Sequence, residues 1–270
     1  MAPLRRRRRN PEGRMSLGDH LRELRRRLFI SAVALALGAV VGWIYYPQVY
    51  ARLAAPFYAY KEASGNELVS LNFSNATAAF SQQVSISIFV GVLLSSPVWL
   101  YQLWAFIVPG LTKKEKRVSL AFVAAIVPLF LAGCWMAYLT MPKALTLLYG
   151  FTPEGASNIQ QTSDYFGFVT RFIVVFGLAF LLPVFLVALN VAHVVSARGM
   201  LKTWRPAVFV IFVFAAVATP TPDPFTMFLL AGPLVVLYFA AIGVAWLIDR
   251  RRSKARPEWA DLADDQASAL

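Results

Sequence analysis

A single acidic side chain, Glu23, lies among four arginines immediately before an apolar segment. The four are Arg22, Arg25, Arg26 and Arg27. On a helix, Glu23 would pair with the arginines three and four residues further on, which adds only about 0.3–0.5 kcal/mol. The alternative is that the carboxylate binds a cation of another molecule, because a guanidinium group donates two parallel hydrogen bonds to a carboxylate. Glu115 repeats this arrangement within the segment KKEKR.

Catalytic chemistry has little support in the sequence. The chain contains two histidines, His20 and His193, and one cysteine, Cys134. It contains neither the H-E-x-x-H motif of metalloproteases nor a phosphate-binding loop. We interpret both histidines as solvated or capping groups and Cys134 as a packing residue inside a membrane helix. We therefore expect no enzyme activity, no cofactor and no metal site.

The elements that must position the two carboxylates are membrane-spanning helices. The chain has 270 residues, of which 58% are hydrophobic, and its mean hydropathy is +0.58. Its long apolar runs lack the alternation that a barrel strand needs, so they predict an all-α polytopic membrane protein with six transmembrane helices. The predicted spans are residues 28–46, 84–108, 118–139, 166–191, 206–219 and 225–248.

The basic residues set the orientation of these spans. Of the 26 lysines and arginines, 22 lie before span one, in the KKEKR turn, between spans four and five, or after span six. All four regions fall on one side of the six-span arrangement, so the positive-inside rule predicts that the N and C termini are cytoplasmic. The membrane topology explains the net charge of +12, so nucleic-acid binding is the weaker interpretation of that charge.

Prolines and span lengths predict the form of the bundle. Pro97, Pro128, Pro183 and Pro233 lie inside four of the spans and should bend them into a curved, cupped bundle. Span five is about 21 Å long, against a hydrocarbon core of about 30 Å. Spans five and six should therefore form a short hairpin that thins the bilayer beside it.

The two ends of the chain differ from the spans in composition. Residues 1–15 form a basic extension of low complexity, and residues 251–270 form a tail that ends in acidic residues, so we expect both to be disordered. Residues 16–250 are the predicted six-helix transmembrane domain. Met15 is a candidate start as well as Met1, and Ser16 with Asp19 forms a capping box for a helix that begins near Leu17.

Five segments carry a family resemblance. They are HLRELRRRL, AAPF, LLSSPVWLYQLWAFIVPGLTKKEKR, FGLAFLLPV and ATPTPDPF, in this order. Over about residues 16–250, the chain resembles the TatC family, the receptor subunits of the twin-arginine translocase. The resemblance implies a receptor, not an enzyme, that binds twin-arginine signal peptides of folded cargo proteins at the cytoplasmic face. It would nucleate the export complex, which the proton-motive force drives.

The same resemblance implies partners and a location. The expected partners are single-span subunits of the TatA and TatB type, membrane lipid and further copies in an oligomeric complex. The expected location is the bacterial cytoplasmic (inner) membrane.

Site residues also follow from the resemblance. Glu23 and Glu115 match the two carboxylates that recognise the arginine pair, and Phe106 and Arg25 lie beside them. Such a site would distinguish arginine from lysine, because only guanidinium is planar and forked.

Of four further positions, two match the family pattern and two depart from it. Pro56 matches the proline of the first outer loop, and Asp223 matches the acidic residue between spans five and six. Leu181 and Met227 occupy positions where members often carry glutamate and glutamine. We therefore assign no partner-binding role to those two positions.

The alternative function is that of a small-solute membrane transporter. Transporters usually place ionisable side chains deep inside their spans. Here Arg171 lies near the outer end of span four, where it can reach the interface, and no inverted repeat is apparent. The sequence therefore favours the receptor over the transporter.

Overall fold

The computed structural model describes residues 17–65, 70–107, 113–152, 159–218 and 224–254. Within them the protein is helical apart from two short strands, as the all-α class predicts. The elements are α1 (Leu17–Ile44), α2 (Tyr46–Ser64), β1 (Ser70–Asn72), α3 (Ala78–Leu94), α4 (Ser96–Ile107), α5 (Lys113–Tyr149), β2 (Ile159–Gln161), α6 (Thr162–Ala179), α7 (Leu182–Val191), α8 (Ala197–Lys202), α9 (Trp204–Ala218) and α10 (Pro224–Lys254).

Several helices are long and apolar enough to cross a membrane. Four segments in the described part of the chain meet this test by themselves: Gly18–Ile44, Phe122–Tyr149, Thr162–Val191 and Pro224–Arg252. Helices α3 and α4 meet it together as a bent pair, whereas the apolar segment Trp204–Val217 is shorter. The polytopic class is therefore confirmed. The number six stays a prediction, because it requires the short helix α9 to cross.

Predicted span two is broken into helices α3 and α4, which meet at an angle of 61°. The break follows from Pro97, which has no N–H to donate to the carbonyl four residues earlier. The indole Nε1 of Trp99 donates to the carbonyl of Val92 across the break, at 2.9 Å. A side chain thus donates to a backbone oxygen that would otherwise lack a hydrogen-bond donor in apolar surroundings.

Predicted span four is also divided, at Phe180 and Leu181, just before Pro183. Leu181 is buried at this break. Met227, the other position that departs from the family pattern, is half-buried on α10. Helix α10 itself continues to Lys254, four residues into the predicted tail. The rest of that tail and residues 1–15 lie outside the described residues.

The connection between predicted spans one and two begins with helix α2, which contains Pro56. Pro56 has no N–H to donate to the carbonyl of Arg52, and the hydroxyl of Tyr138 donates to that carbonyl at 3.1 Å. The buried hydroxyl of Tyr165 donates to the next carbonyl, that of Leu53, at 2.9 Å. Tyr138 therefore supplies the donor that Pro56 lacks, and Tyr165 adds a donor at the neighbouring carbonyl.

The chain divides into two compact units. The first comprises Met1–Tyr50 and Ala79–Val127, and the second comprises Ala51–Ala78 and Pro128–Leu270. In the first unit, α1 and α3 approach closely at glycines. A Cβ added to Gly38 would lie 3.0 Å from the Cα of Gly91, and one added to Gly42 would lie 2.8 Å from the carbonyl oxygen of Ser87. Small residues are what allow membrane helices to pack this closely.

In the second unit, two connecting segments pair as strands, and one carboxylate on α10 binds the end of α7 and the start of α8. Strands β1 and β2 are parallel, with Ser70 opposite Ile159. Asp249 on α10 accepts hydrogen bonds from Asn190 Nδ2 at 3.0 Å and from the backbone N–H of Ala197 at 2.9 Å. Arg252 donates to the backbone carbonyls of Asn190 and Val191 at 3.0 and 2.9 Å. Asp249 and Arg252 together therefore hold the end of α7 and the start of α8 on α10.

Candidate functional site

One face of α1 carries His20, Glu23 and Arg27. Spacings of three and four residues place these side chains in one row along a helix, because the helix has 3.6 residues per turn. The Glu23 and Arg27 side chains are 26% and 21% exposed. Both are thus partly removed from water, which strengthens electrostatic interactions relative to a fully exposed pair.

Arg27 connects Glu23 to helix α4. Its Nε donates to Glu23 Oε1 at 3.0 Å, and its Nη2 contacts the same oxygen. Its Nη1 donates to the side-chain oxygen of Gln102 on α4 at 3.1 Å. Both contacts with the carboxylate therefore use Oε1. Among the described hydrogen bonds, none joins Arg27 to the second oxygen, Oε2, so the pair is not the usual bidentate one.

Phe106 lies against the same face of α1. Its ring stacks on the His20 ring, with centroids 4.5 Å apart and planes 24° apart. Because Gln102 and Phe106 are four residues apart on α4, they lie on one side of that helix. Glu23 is one turn from His20 on α1, so the structure brings Phe106 close to the predicted carboxylate.

A small cavity of about 190 Å³ lies between α1 and α4. Its lining residues are Leu24, Arg27, Leu28, Ser31, Trp99, Gln102, Leu103 and Phe106. Most of these side chains are apolar, and the polar groups of Arg27 and Gln102 are already joined to each other. The cavity thus suits an apolar side chain next to a charged group.

Arg25 is not part of this cavity. It is exposed and lines a separate open cavity of about 410 Å³. The other residues of that cavity are Arg22, Arg26 and Phe29. The basic side chains around Glu23 are therefore divided between two faces of α1: Arg27 faces α4, and the others form a cationic surface. The role of Arg25 in binding stays a prediction.

The remaining predicted site residues lie elsewhere. Glu115 is the third residue of α5, and its side chain is outside the described part of the structure. Asp223 is also outside the described residues. Pro56 is buried in α2 and belongs to the second unit. The predicted roles of Glu115, Asp223 and Pro56 stay predictions.

The site also includes His20 and Gln102, which were not predicted from the sequence as site residues. His20 was interpreted as a solvated or capping group, and Gln102 is one neutral polar residue within an apolar span. The available signal was spacing: His20 is three residues before Glu23, and Gln102 is four residues before Phe106. That signal becomes informative only when α1 is known to pack on α4.

The site suits a cation better than a metal or a reacting group. Among the described residues, no three His, Cys, Asp or Glu side chains lie together in a way that could hold a metal ion. What the arrangement offers is one carboxylate with an oxygen that Arg27 does not use, next to two stacked rings. A positively charged group could bind to that oxygen and contact the edge or face of the rings.

Comparison with known proteins gives a consistent result. The family described as "Sec-independent protein translocase protein (TatC)" matches residues 19–233. A Sec-independent protein translocase protein TatC from Xylanimonas cellulosilytica is 43% identical over 241 residues, covering 89% of this chain and 87% of that protein. A protein of the same name from Frankia casuarinae is 43% identical over 270 residues, covering 96% of this chain and 74% of that protein.

A solved structure is similar along most of its length. The crystal structure of the twin-arginine translocase receptor TatC in DDM superposes with a TM-score of 0.71 at 33% sequence identity. The match covers 84% of this chain and 99% of that chain.

Proposed function

The chain belongs to the TatC family of Sec-independent protein translocase proteins and is a core subunit of that translocase, and from this premise we propose that α1 carries part of a receptor site for twin-arginine signal peptides. The ligand would be the arginine pair of a signal peptide on a folded precursor protein. The site would bind this pair before transport, so it acts by recognition and carries out no chemical step.

The observation that supports the proposal best is the arrangement around Glu23. Arg27 engages only one oxygen of this carboxylate, and a carboxylate offers about four lone-pair positions. A second guanidinium group can therefore bind without first displacing Arg27. The stacked rings of His20 and Phe106 beside it give the ligand's apolar carbons, or its planar guanidinium, a surface to contact.

Two arginines need two acceptors, and Glu115 is the second acceptor in this proposal. Helix α4 ends at Ile107 and α5 begins at Lys113, so Glu115 follows Phe106 after one short connection. A carboxylate from α1 and one from α5 would each bind one guanidinium group. Lysine would bind less well, because an ammonium group is a compact, strongly hydrated point charge that cannot form the planar, two-bond contact.

Orientation and partners belong to the same proposal. The distribution of basic residues supports six spans with both termini on the cytoplasmic side of a bacterial cytoplasmic membrane. Helix α1 exposes large apolar side chains along its length, among them Leu28, Phe29 and Leu37. In the membrane such a face contacts either lipid or a single-span helix, which supports partners of the TatA and TatB type in an oligomeric complex. The energy source would be the proton-motive force.

Peptide affinity tests the proposal directly. The purified protein in lipid nanodiscs is titrated with a labelled signal peptide that carries either Arg-Arg or Lys-Lys. We expect tighter binding of the Arg-Arg peptide. Glu23→Gln and Glu115→Gln should each weaken it at least about thirtyfold, because removing one partner of a desolvated charge pair costs about 2 kcal/mol or more.

Glu62→Gln supplies a matched control, since Glu62 is exposed on α2 and is remote from Glu23 in sequence. It removes the same charge and should leave the affinity unchanged. Equal affinity of the unaltered protein for the two peptides would refute the receptor proposal.

A further inference from the structure

We propose that Arg27 is a positioning residue for Glu23: it fixes one carboxylate oxygen against helix α4, so that the other oxygen receives the ligand's guanidinium group. The inference rests on the proposed signal-peptide function, and it assigns a part of that function to Arg27 and Gln102. Neither residue would need to touch the ligand. Their effect is on the direction in which the Glu23 carboxylate points.

The contacts of Arg27 carry the first step. Three of its nitrogens are engaged: Nε and Nη2 with Glu23 Oε1, and Nη1 with Gln102. The guanidinium group is rigid and planar, so fixing Nη1 on α4 also fixes the direction of the other two nitrogens. Glu23 is thus held by a group that is itself anchored on a second helix. An isolated pair on the surface of one helix would lack this anchor.

Burial indicates that Arg27 stays in place when a ligand arrives. Its side chain is 21% exposed and lines the cavity together with Leu24, Leu28 and Leu103. A ligand that displaced Arg27 would leave a guanidinium group and the Gln102 oxygen without partners in these apolar surroundings, which is costly. Binding to Oε2, to which no described residue donates a hydrogen bond, leaves the existing contacts of Oε1 intact. The arrangement therefore favours addition of a ligand cation over exchange.

A fixed carboxylate accounts for selectivity as well as affinity. Two N–H groups of the ligand can both donate to Oε2, as those of Arg27 do to Oε1, only when the guanidinium plane is suitably aligned with that oxygen, whereas an ammonium group approaches from any direction. Loss of the Arg27 anchor lets the Glu23 side chain rotate. Rotation should therefore weaken the binding of arginine much more than the binding of lysine.

The experiment compares three variants with the Arg-Arg and Lys-Lys peptides in the nanodisc titration. Arg27→Gln should lower the affinity for the Arg-Arg peptide about tenfold and change the affinity for the Lys-Lys peptide less than about twofold. Gln102→Leu removes the anchor without changing any charge and should act in the same direction, by several-fold. Arg26→Gln is the matched control: Arg26 is exposed on the other face of α1, and its loss should alter both affinities equally and little.

Different results have different meanings. Unchanged or tighter Arg-Arg binding in Arg27→Gln overturns the inference, because Arg27 would then be idle or would block Glu23. An equal loss for both peptides overturns it too, because Arg27 would then support the site in general without setting the direction of the Glu23 carboxylate. If Arg27→Gln does not fold, Gln102→Leu decides by the same ratio. In each case the proposed receptor function still stands if the unaltered protein prefers Arg-Arg and Glu23→Gln abolishes that preference.

Discussion

His20 and Phe106 stack across two helices, with ring centroids 4.5 Å apart. The contact joins the first turns of α1 to the last turn of α4, so it fixes where Glu23 lies relative to the α4 end. An aromatic pair of this kind contributes about 0.5–1.5 kcal/mol beyond the area it buries. We therefore expect the pair to act on ligand affinity through geometry.

The first prediction removes this contact. His20→Ala and Phe106→Leu should each weaken the binding of the Arg-Arg signal peptide by about three- to tenfold, because Glu23 is then held less firmly, and the stacking energy of about 0.5–1.5 kcal/mol bounds this effect. Phe29→Ala provides the control, because Phe29 is 69% exposed on α1 and lies outside the cavity of Arg27. Peptide titration is the measurement. An effect of Phe29→Ala as large as that of His20→Ala would contradict the prediction.

The second prediction concerns topology. Cysteines introduced at Lys114, Arg198 and Ser253 should be shielded from an impermeant thiol reagent in intact cells, and cysteines at Lys61 and Gln160 should react. The native Cys134 is buried and supplies the unreactive background. Labelling at Lys114 from outside would be incompatible with six spans and cytoplasmic termini.

The third prediction concerns the short helix α9. It has 15 residues, about 22 Å at 1.5 Å per residue, whereas the hydrocarbon core is about 30 Å thick. Inserting four leucines after Val210 would lengthen it by about 6 Å. We expect normal membrane insertion but weaker export of a reporter protein with a twin-arginine signal, since the bilayer beside α9 would no longer be thinned. Full export activity in this variant would show that the short length has no role.

The fourth prediction concerns the backbone oxygens around Pro56. Tyr165→Phe should lower the thermal stability of the purified protein, because the carbonyl of Leu53 then lacks its buried hydroxyl donor. The expected cost is about 1–2 kcal/mol. Tyr138→Phe, at an exposed hydrogen bond, is the comparison and should cost about 0.5 kcal/mol or less. Equal stability of the two variants would show that burial of the Tyr165 bond does not matter.

The fifth prediction concerns Asp249. Its carboxylate accepts from Asn190 Nδ2 and from the N–H of Ala197, so Asp249→Asn places an amide nitrogen against one of two donors. We expect the melting temperature to fall, because one donor loses its acceptor and the ion pair with Arg252 disappears. Asp164→Asn makes the same chemical change at an exposed position and should have no effect. The same melting temperature in both variants would contradict this role of Asp249.

The sequence predicts helices well where an apolar run is continuous, and less well where the chain bends. Predicted spans one, three and six correspond to parts of α1, α5 and α10. Pro97 predicts a kink, but whether the kink becomes a 61° break depends on a donor from another turn, here the Trp99 indole. Helix α2 lies outside the predicted spans, because its polar residues and Pro56 weaken the apolar pattern. The contacts from Tyr138 and Tyr165 come from residues far along the chain, so the sequence does not reveal them.

The same limit applies to the site. Glu23 is visible in the sequence because it is an isolated acid among arginines at a membrane edge. Its partner Arg27 follows from helical spacing. Gln102 does not, since it lies 75 residues from Arg27 and one neutral amide in an apolar span has many potential partners.

Because the break at Ser95 separates α4 from α3, a change in the angle between the two helices displaces each residue of α4 in proportion to its distance from the break. Gln102 lies six residues beyond the start of α4, about 9 Å along its axis, and the far end of the helix lies about 17 Å along it. A change of about 5° at the break would shift Gln102 by about 0.8 Å and the end of α4 by about 1.5 Å. If directed along the hydrogen bond from Arg27 to Gln102, the first shift alone would lengthen it from 3.1 Å to about 3.9 Å, which is beyond hydrogen-bond length. The position of the Glu23 carboxylate would therefore respond to a change of a few degrees in the angle between α3 and α4.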